Sequence, residues 1–220
     1  MQYLNNPERL MKLLNQLFNG FGTSLSIFAW TLIISLPLGM IVALGRMSRH
    51  KVISAPVSFY ILIMRGTPLM LQLFAVYFFL PKLVGPIPRL TATYIAFGLN
   101  YAAYFAEIYR GGIMSIPPGQ YEAAQVLGFT KGQTFLRIIL PQTVKRVLLP
   151  VSNEVITLVK DTSLATAIAV SEIFLTAKNA TSSSGSVEPL FIAGLFYLLM
   201  NAVVTLFFNF LTRRFSYYHD

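Results

Sequence analysis

Cysteine is absent from the 220-residue chain, so disulfides, thiol chemistry and cysteine metal sites are excluded. Charge is nearly as scarce, at 11% of residues where a soluble domain carries roughly a quarter. Histidine occurs only twice, as His50 and His219, far apart and at the edges of apolar segments, so no metal site is expected. No GxxxxGK[ST] phosphate loop is present, which excludes nucleotide binding of that kind by this chain. Neither an internal repeat nor a soluble domain stands out. What fills the chain is apolar: 55% of residues are hydrophobic and the mean hydropathy is positive. The chain therefore reads as an all-α integral membrane protein. Seventeen basic residues against eight acidic ones give a formal charge of +9. They lie between and beside apolar runs, where the positive-inside rule accounts for them without a nucleic-acid partner.

Met1 to Gly20 intersperses Glu8, Arg9 and Lys12 among Leu10, Met11, Leu13, Leu14, Leu17 and Phe18, a spacing that suits an interfacial amphipathic helix. It lacks the short apolar core and cleavage site of a signal peptide. Phe21 to Gly45 holds no charge and is long enough to cross a bilayer once. Arg46, Arg49 and Lys51 follow directly. Val52 to Pro81 is too long for one straight span, and Arg65-Gly66-Thr67-Pro68 is where a bend is expected, since proline removes a backbone donor. After a proline-rich outer turn, Leu90 to Tyr109 forms the third span, with Asn100 near its middle and Glu107 and Arg110 paired at its inner end.

The fourth span begins at Val147 and is interrupted by Lys160-Asp161-Thr162-Ser163 before continuing to Val170. Thr162 and Ser163 suit N-caps, which predicts a break with backbone N–H groups turned inward. Ser171 to Glu188 is expected outside, with Thr181 to Ser186 as a flexible polar loop. Pro189 to Thr212 is the fifth span and ends on Arg213 and Arg214, leaving residues 215–220 as a cytoplasmic tail. Ten basic residues then fall inside, five outside and two, Arg65 and Lys160, within spans. That distribution puts the N-terminus outside and the C-terminus in the cytoplasm.

Tyr121 to Pro141 is the polar exception. A short helix ending at Leu127, a turn at Gly128, and a second helix that opens with Thr130 and Gln133 at capping-box spacing make a compact knob. Pro141 is expected to close it. The knob can serve as a docking surface for a soluble partner or pack on its own chain, and the topology places it in the cytoplasm.

Depth can be reckoned from span entry points. Arg65 lies thirteen residues past Val52 and Lys160 thirteen past Val147, so both sit about 20 Å into a core of about 30 Å. Thr67 and Asp161 share that level, and Asn100 is near the midplane. Charges there are tolerated only against protein or a wet cavity. A free amino acid carries one carboxylate and one ammonium, and Arg65 or Lys160, Asp161, and the hydroxyls of Thr67, Thr162 and Ser163 supply complementary groups. The alternative is that Lys160 and Asp161 neutralise each other or Arg65. Glu107, Glu154 and Asp161 show no catalytic pairing.

Several segments resemble one family. Glu122-Ala123-Ala124, Gly128 and Ile138-Ile139-Leu140-Pro141 match the spacing of the EAA loop in membrane subunits of bacterial ABC importers. RGTPLMLQLF, AYFAEIYRGGI and LVKDTSLA resemble the permeases of polar amino-acid uptake systems within that family. The resemblance covers about residues 20 to 214 and implies a type I importer fold of five transmembrane helices, with residues 21–214 as the permease domain. It also implies that the knob is a cytoplasmic coupling helix for a separate ATPase, with Glu122, Ala123, Ala124, Gly128, Thr130, Lys131, Ile138, Leu140 and Pro141 at that contact. By the same resemblance no cofactor is bound by this chain, ATP and magnesium belong to the ATPase, and the working complex adds a second permease copy or paralogue and an external binding protein. The same architecture carrying another solute such as an osmolyte, an ATP-independent carrier, and an intramembrane enzyme are the rival readings.

Overall fold

A computed structural model describes residues 3 and 5–215 of the chain. The expected tail beyond Phe215, and His219 with it, lies outside the described residues. Ten α-helices follow in order: α1 Pro7–Arg46, α2 Lys51–Gly66, α3 Leu69–Phe79, α4 Pro81–Val84, α5 Arg89–Met114, α6 Pro118–Val126, α7 Lys131–Thr134, α8 Leu140–Asp161, α9 Ile173–Ser184 and α10 Glu188–Phe215. A π-helical turn, Phe135–Ile139, joins α7 to α8, and a 3-10 segment, Thr162–Ile168, extends α8.

The buried heart is α5, which packs against α1, α2, α3 and α8. Between helices in lipid, apolar burial supplies little drive, because the acyl chains are as apolar as leucine, so close backbone approach must do the work. The sequence provides for this. The buried row of α1 runs Gly20, Ser24, Ile27, Thr31, Ser35, Gly39, Ala43, small side chains at three- and four-residue spacing. The facing side of α5 offers Ala92, Ala96, Ala102, Ala103 and Ala106, with Phe97, Tyr101 and Phe105 filling the spaces.

Five expectations need correction. α1 is one continuous helix, so no separate interfacial helix ends at Gly20. Gly20 serves close packing rather than a break: a Cβ there would lie 2.9 Å from the backbone carbon of Glu172. Second, Pro141 does not end a helix. The chain passes through it because the π-turn ahead widens the helix, and the Gln142 side chain donates to the Ile138 carbonyl at 2.9 Å. Third, there is no break at Thr162 and Ser163. Their hydroxyls donate backward to the carbonyls of Val159 and Lys160 at 2.8 and 2.7 Å instead of capping a new helix. The helix tightens to 3-10 geometry and the turn comes at Ala169, which adopts a left-handed φ of 56°.

Fourth, the polar stretch after Ser171 is largely α9, with Thr181 to Ser184 in its last turn and Gly185 as its left-handed C-cap. Fifth, the proline-rich turn after Pro81 contains the single helical turn α4.

The bend expected at Arg65 to Pro68 is present: α2 and α3 meet at 110°. By length and apolarity alone, α1 and α10 each suffice to cross a membrane, and the bent α2–α3 pair together makes a third. α5 and α8 carry more polar side chains.

Candidate functional site

Two regions bring functional side chains together. In the first, α6 ends as the sequence predicts: Gly128 adopts φ +77°, and the Phe129 N–H reaches back to the Ala124 carbonyl at 3.0 Å to close the turn. Thr130 then caps α7, accepting from the Gln133 N–H, while the Gln133 side chain accepts from the Thr130 N–H at 2.9 Å. The reciprocal box is complete. Gln142 of α8 also donates to Gln120 of α6 at 3.2 Å, and Arg146 donates to the Ser115 carbonyl at 2.6 Å. α8 is thereby tied to α6 and to the end of α5.

Ala124 is buried, turned into the protein, whereas Glu122, Ala123, Gly128, Thr130, Lys131 and Pro141 are exposed. Ile138 and Leu140 are half-buried. Val126 at 88%, Leu127 at 73% and Leu136 at 62% exposure are large apolar side chains left uncovered on the same segment of chain.

The second region lies where α2 breaks against α5. A cavity of about 440 Å³ is lined by Arg46, Ser58, Arg65, Gly66, Tyr104 and Glu107, among others. Arg65 stands with its guanidinium 5.3 Å above the Tyr104 ring and Nη1 3.8 Å from Glu107 Oε2. Glu107 is already held by Arg110, whose Nη2 donates at 2.7 Å and Nε at 3.0 Å. The tight partner is the neighbour three residues along the helix. Arg65 is the loose one, and its side chain is 44% exposed.

Tyr104 is in ring contact with Tyr101 at 6.3 Å, and the Tyr101 hydroxyl donates to Asp161 Oδ2 at 2.8 Å. Arg65 and Asp161, distant in sequence, are thus linked through one face of α5. Lys160 is exposed, and Thr162 is fully buried with its hydroxyl occupied by Val159. Asn100 and Thr67 do not face the cavity of Arg65. They bond at the α2–α3 break, where Asn100 Nδ2 donates to the Met64 carbonyl at 3.0 Å and Thr67 accepts from Gln72 at 2.8 Å.

Sequence reasoning missed two centres. Gln72 is buried at the break and bonds both Thr67 and Asn100; its position four residues after Pro68 was the available signal. Glu172, placed in an outer loop by hydropathy, is fully buried and accepts from the N–H groups of Leu175 and Phe174 and from the hydroxyls of Thr166 and Tyr197, at 2.6 to 2.8 Å. A glutamate before an apolar helix start is a capping signal, and here it also gathers α1, α9 and α10.

A helical bundle with a broken span, charged groups inside it and a protruding helical knob is the architecture of a membrane transport subunit. Residues 35–217 match the family model of the binding-protein-dependent transport system inner membrane component, and the chain belongs to that family. It is 36% identical over 216 residues to the octopine transport system permease protein OccM of Rhizobium radiobacter, covering 94% of this chain and 88% of that one. It is 38% identical to the arginine transport system permease protein ArtQ of Bacillus subtilis, covering 86% and 87%. A crystal structure of an amino acid ABC transporter superposes with a TM-score of 0.86 at 31% identity, over 96% of this chain and 98% of that chain. The fold is that of a type I importer permease, shared also with the MetNI methionine transporter at 16% identity and a TM-score of 0.76. The protein is a multi-pass inner-membrane permease subunit of an ABC transporter, not an enzyme.

Proposed function

We propose that this chain moves polar amino acids inward as one of two pore-forming subunits of an ATP-driven importer. Its five spans are α1, the α2–α3 pair, α5, α8 with its 3-10 extension, and α10. The N-terminus is outside and the C-terminus in the cytoplasm. A separate ATPase grips the α6–α7 knob, using the exposed Glu122, Val126 and Leu136, and binds the ATP and magnesium. An external binding protein delivers substrate, and a second copy or a relative of this chain completes the pore.

The observation that carries the substrate class is the half-exposed Arg65 at a cavity that also presents Glu107. An α-amino acid brings a carboxylate to the guanidinium and an ammonium to the carboxylate or to the ring face of Tyr104, the two charges every such substrate has. Asp161 takes the ammonium or a polar side chain farther along the same path. The named relatives, which transport octopine and arginine, have substrates of this kind.

Uptake into cells carrying or lacking this chain tests the reading, with labelled arginine, glutamine, glutamate and cystine supplied one at a time. Loss of uptake of one or a few on deletion, and equal loss on removing the partner ATPase, is the expected result. Retained uptake of all four redirects the assignment to another solute, and uptake that survives loss of the ATPase overturns the importer.

A further inference from the structure

We propose that Gln72 and Asn100 form an amide lock that sets the position of Arg65. The inference rests on the reading that Arg65 meets the substrate carboxylate. The helical partner of the Met64 carbonyl would be the N–H of residue 68, which is proline and has none. A bend of 110° follows immediately, and the Thr67 carbonyl also loses its helical bond, because the Leu71 N–H turns to Pro68. In an apolar span no water is at hand to satisfy such groups.

Side-chain amides replace what the bend removes. The two N–H groups of Gln72 Nε2 are shared among the Met64 carbonyl at 3.0 Å, the Thr67 carbonyl at 3.1 Å and Thr67 Oγ1 at 2.8 Å. Asn100 Nδ2 donates to the same Met64 carbonyl at 3.0 Å and to Gln72 Oε1 at 2.9 Å. The pair straddles Arg65 and Gly66 in sequence, holding the residue before them and the residue after. Asn100 is 4% exposed and Gln72 9%, so neither presents its amide to the cavity.

The consequence is a division of labour. The backbone carrying Arg65 is pinned from the protein side to α5, the helix that also carries Tyr104 and Glu107. The guanidinium remains half-exposed and only loosely paired. Gln72 and Asn100 are therefore positioning residues: they keep the cation at one distance from Tyr104 and Glu107 without touching the amino acid. A lock of this kind favours binding of the substrate carboxylate and leaves the ATP-driven cycle alone.

The test uses the whole complex in lipid vesicles, with whichever of labelled arginine, glutamine, glutamate and cystine the parent takes up fastest. Gln72→Met keeps the length and removes every amide bond; Asn100→Ala removes the other half. Each is expected to raise KM about tenfold while kcat stays within about twofold, the signature of lost ground-state positioning. Because the chain has no cysteine, a nitroxide attached at Gly66→Cys, where a Cβ meets nothing within 4 Å, reports the backbone directly. Its spectrum is expected to be immobilised in the otherwise unaltered chain and mobile in the Gln72→Met background. Unchanged KM in both variants, a fall in kcat alone, or an unchanged line shape overturns the lock. If the parent complex takes up none of the four amino acids, the substrate reading falls, and the line shape alone then decides whether the lock exists.

Discussion

Arg65 and Glu107 stand 3.8 Å apart across the α2–α5 contact, while Arg110 donates to the same carboxylate oxygen at 2.7 Å. One anion is thus shared unequally between two cations. An incoming carboxylate that takes Arg65 leaves Glu107 still paired, so no buried charge is stranded.

That inequality sets the first prediction. Arg65→Gln should assemble normally, since Glu107 keeps Arg110, yet raise KM for uptake by tenfold or more, on the order of what loss of one charge-assisted contact costs. Uptake kinetics at matched protein levels check it. An unchanged KM would remove Arg65 from the substrate path.

Glu122 is exposed and, among the described residues, forms no ion pair or hydrogen bond within the chain. Glu122→Ala should therefore leave the amount of protein in the membrane unaltered while separating ATP hydrolysis from uptake. Measuring both rates in one vesicle preparation decides it, and coupled transport in the variant would mean that the carboxylate does not engage the ATPase.

Gly128→Val places a β-branched side chain at φ +77°. The left-handed conformation costs roughly 1–2 kcal/mol for a residue with a Cβ, more for a branched one. The α6–α7 turn should loosen, seen as faster amide exchange at Phe129 and Gln133, with weaker binding of the ATPase. Parent-like exchange at both amides would show that the turn tolerates the branch.

Thr130→Ala removes one half of the capping box in α7 and should weaken the start of that helix by about 1 kcal/mol. Thr130→Ser keeps the oxygen and should restore the parent value. Thermal unfolding of the purified complex and exchange at the Gln133 N–H report the difference; equal protection in the two variants would show that the box contributes nothing.

Glu172→Gln exchanges an acceptor oxygen for an NH₂ group facing donors from Phe174, Leu175, Thr166 and Tyr197. Leaving a buried donor opposed costs about 1–3 kcal/mol. The apparent Tm should fall by roughly 5 °C, taking a few degrees per kcal/mol for a chain of this size. A Tm within a degree of the parent would show that the carboxylate is not essential to the junction of α1, α9 and α10.

Much of the site was legible because its signals are local. The capping box at Thr130, the glycine turn at Gly128 and the bend before Pro68 each depend on a few consecutive residues, and each formed as the spacing predicts. The notion that Thr162 and Ser163 cap a helix was equally local and failed. A hydroxyl following a helical turn can donate to the carbonyl three residues back, and it does so here because the chain remains helical. Pro141 misled for a related reason, since the π-turn ahead of it lets the helix run on, with Gln142 reaching back to Ile138 and across to Gln120 of α6.

The sequence alone determined that the chain is a helical membrane protein, where its helices bend or cap, and which exposed knob it offers. Those properties follow from transfer free energy and short-range backbone chemistry, which any isolated stretch of chain carries. Only the tertiary structure decided which polar groups are spent on the fold and which stay available. Asn100 could have faced a substrate by depth, but its amide is used on Met64 and Gln72; Glu172 could have been solvated, but Thr166, Phe174, Leu175 and Tyr197 all donate to it. Hydrogen-bond capacity is finite, so a polar side chain's role is set by whichever partners packing brings within 3 Å, and that is a property of the assembled helices.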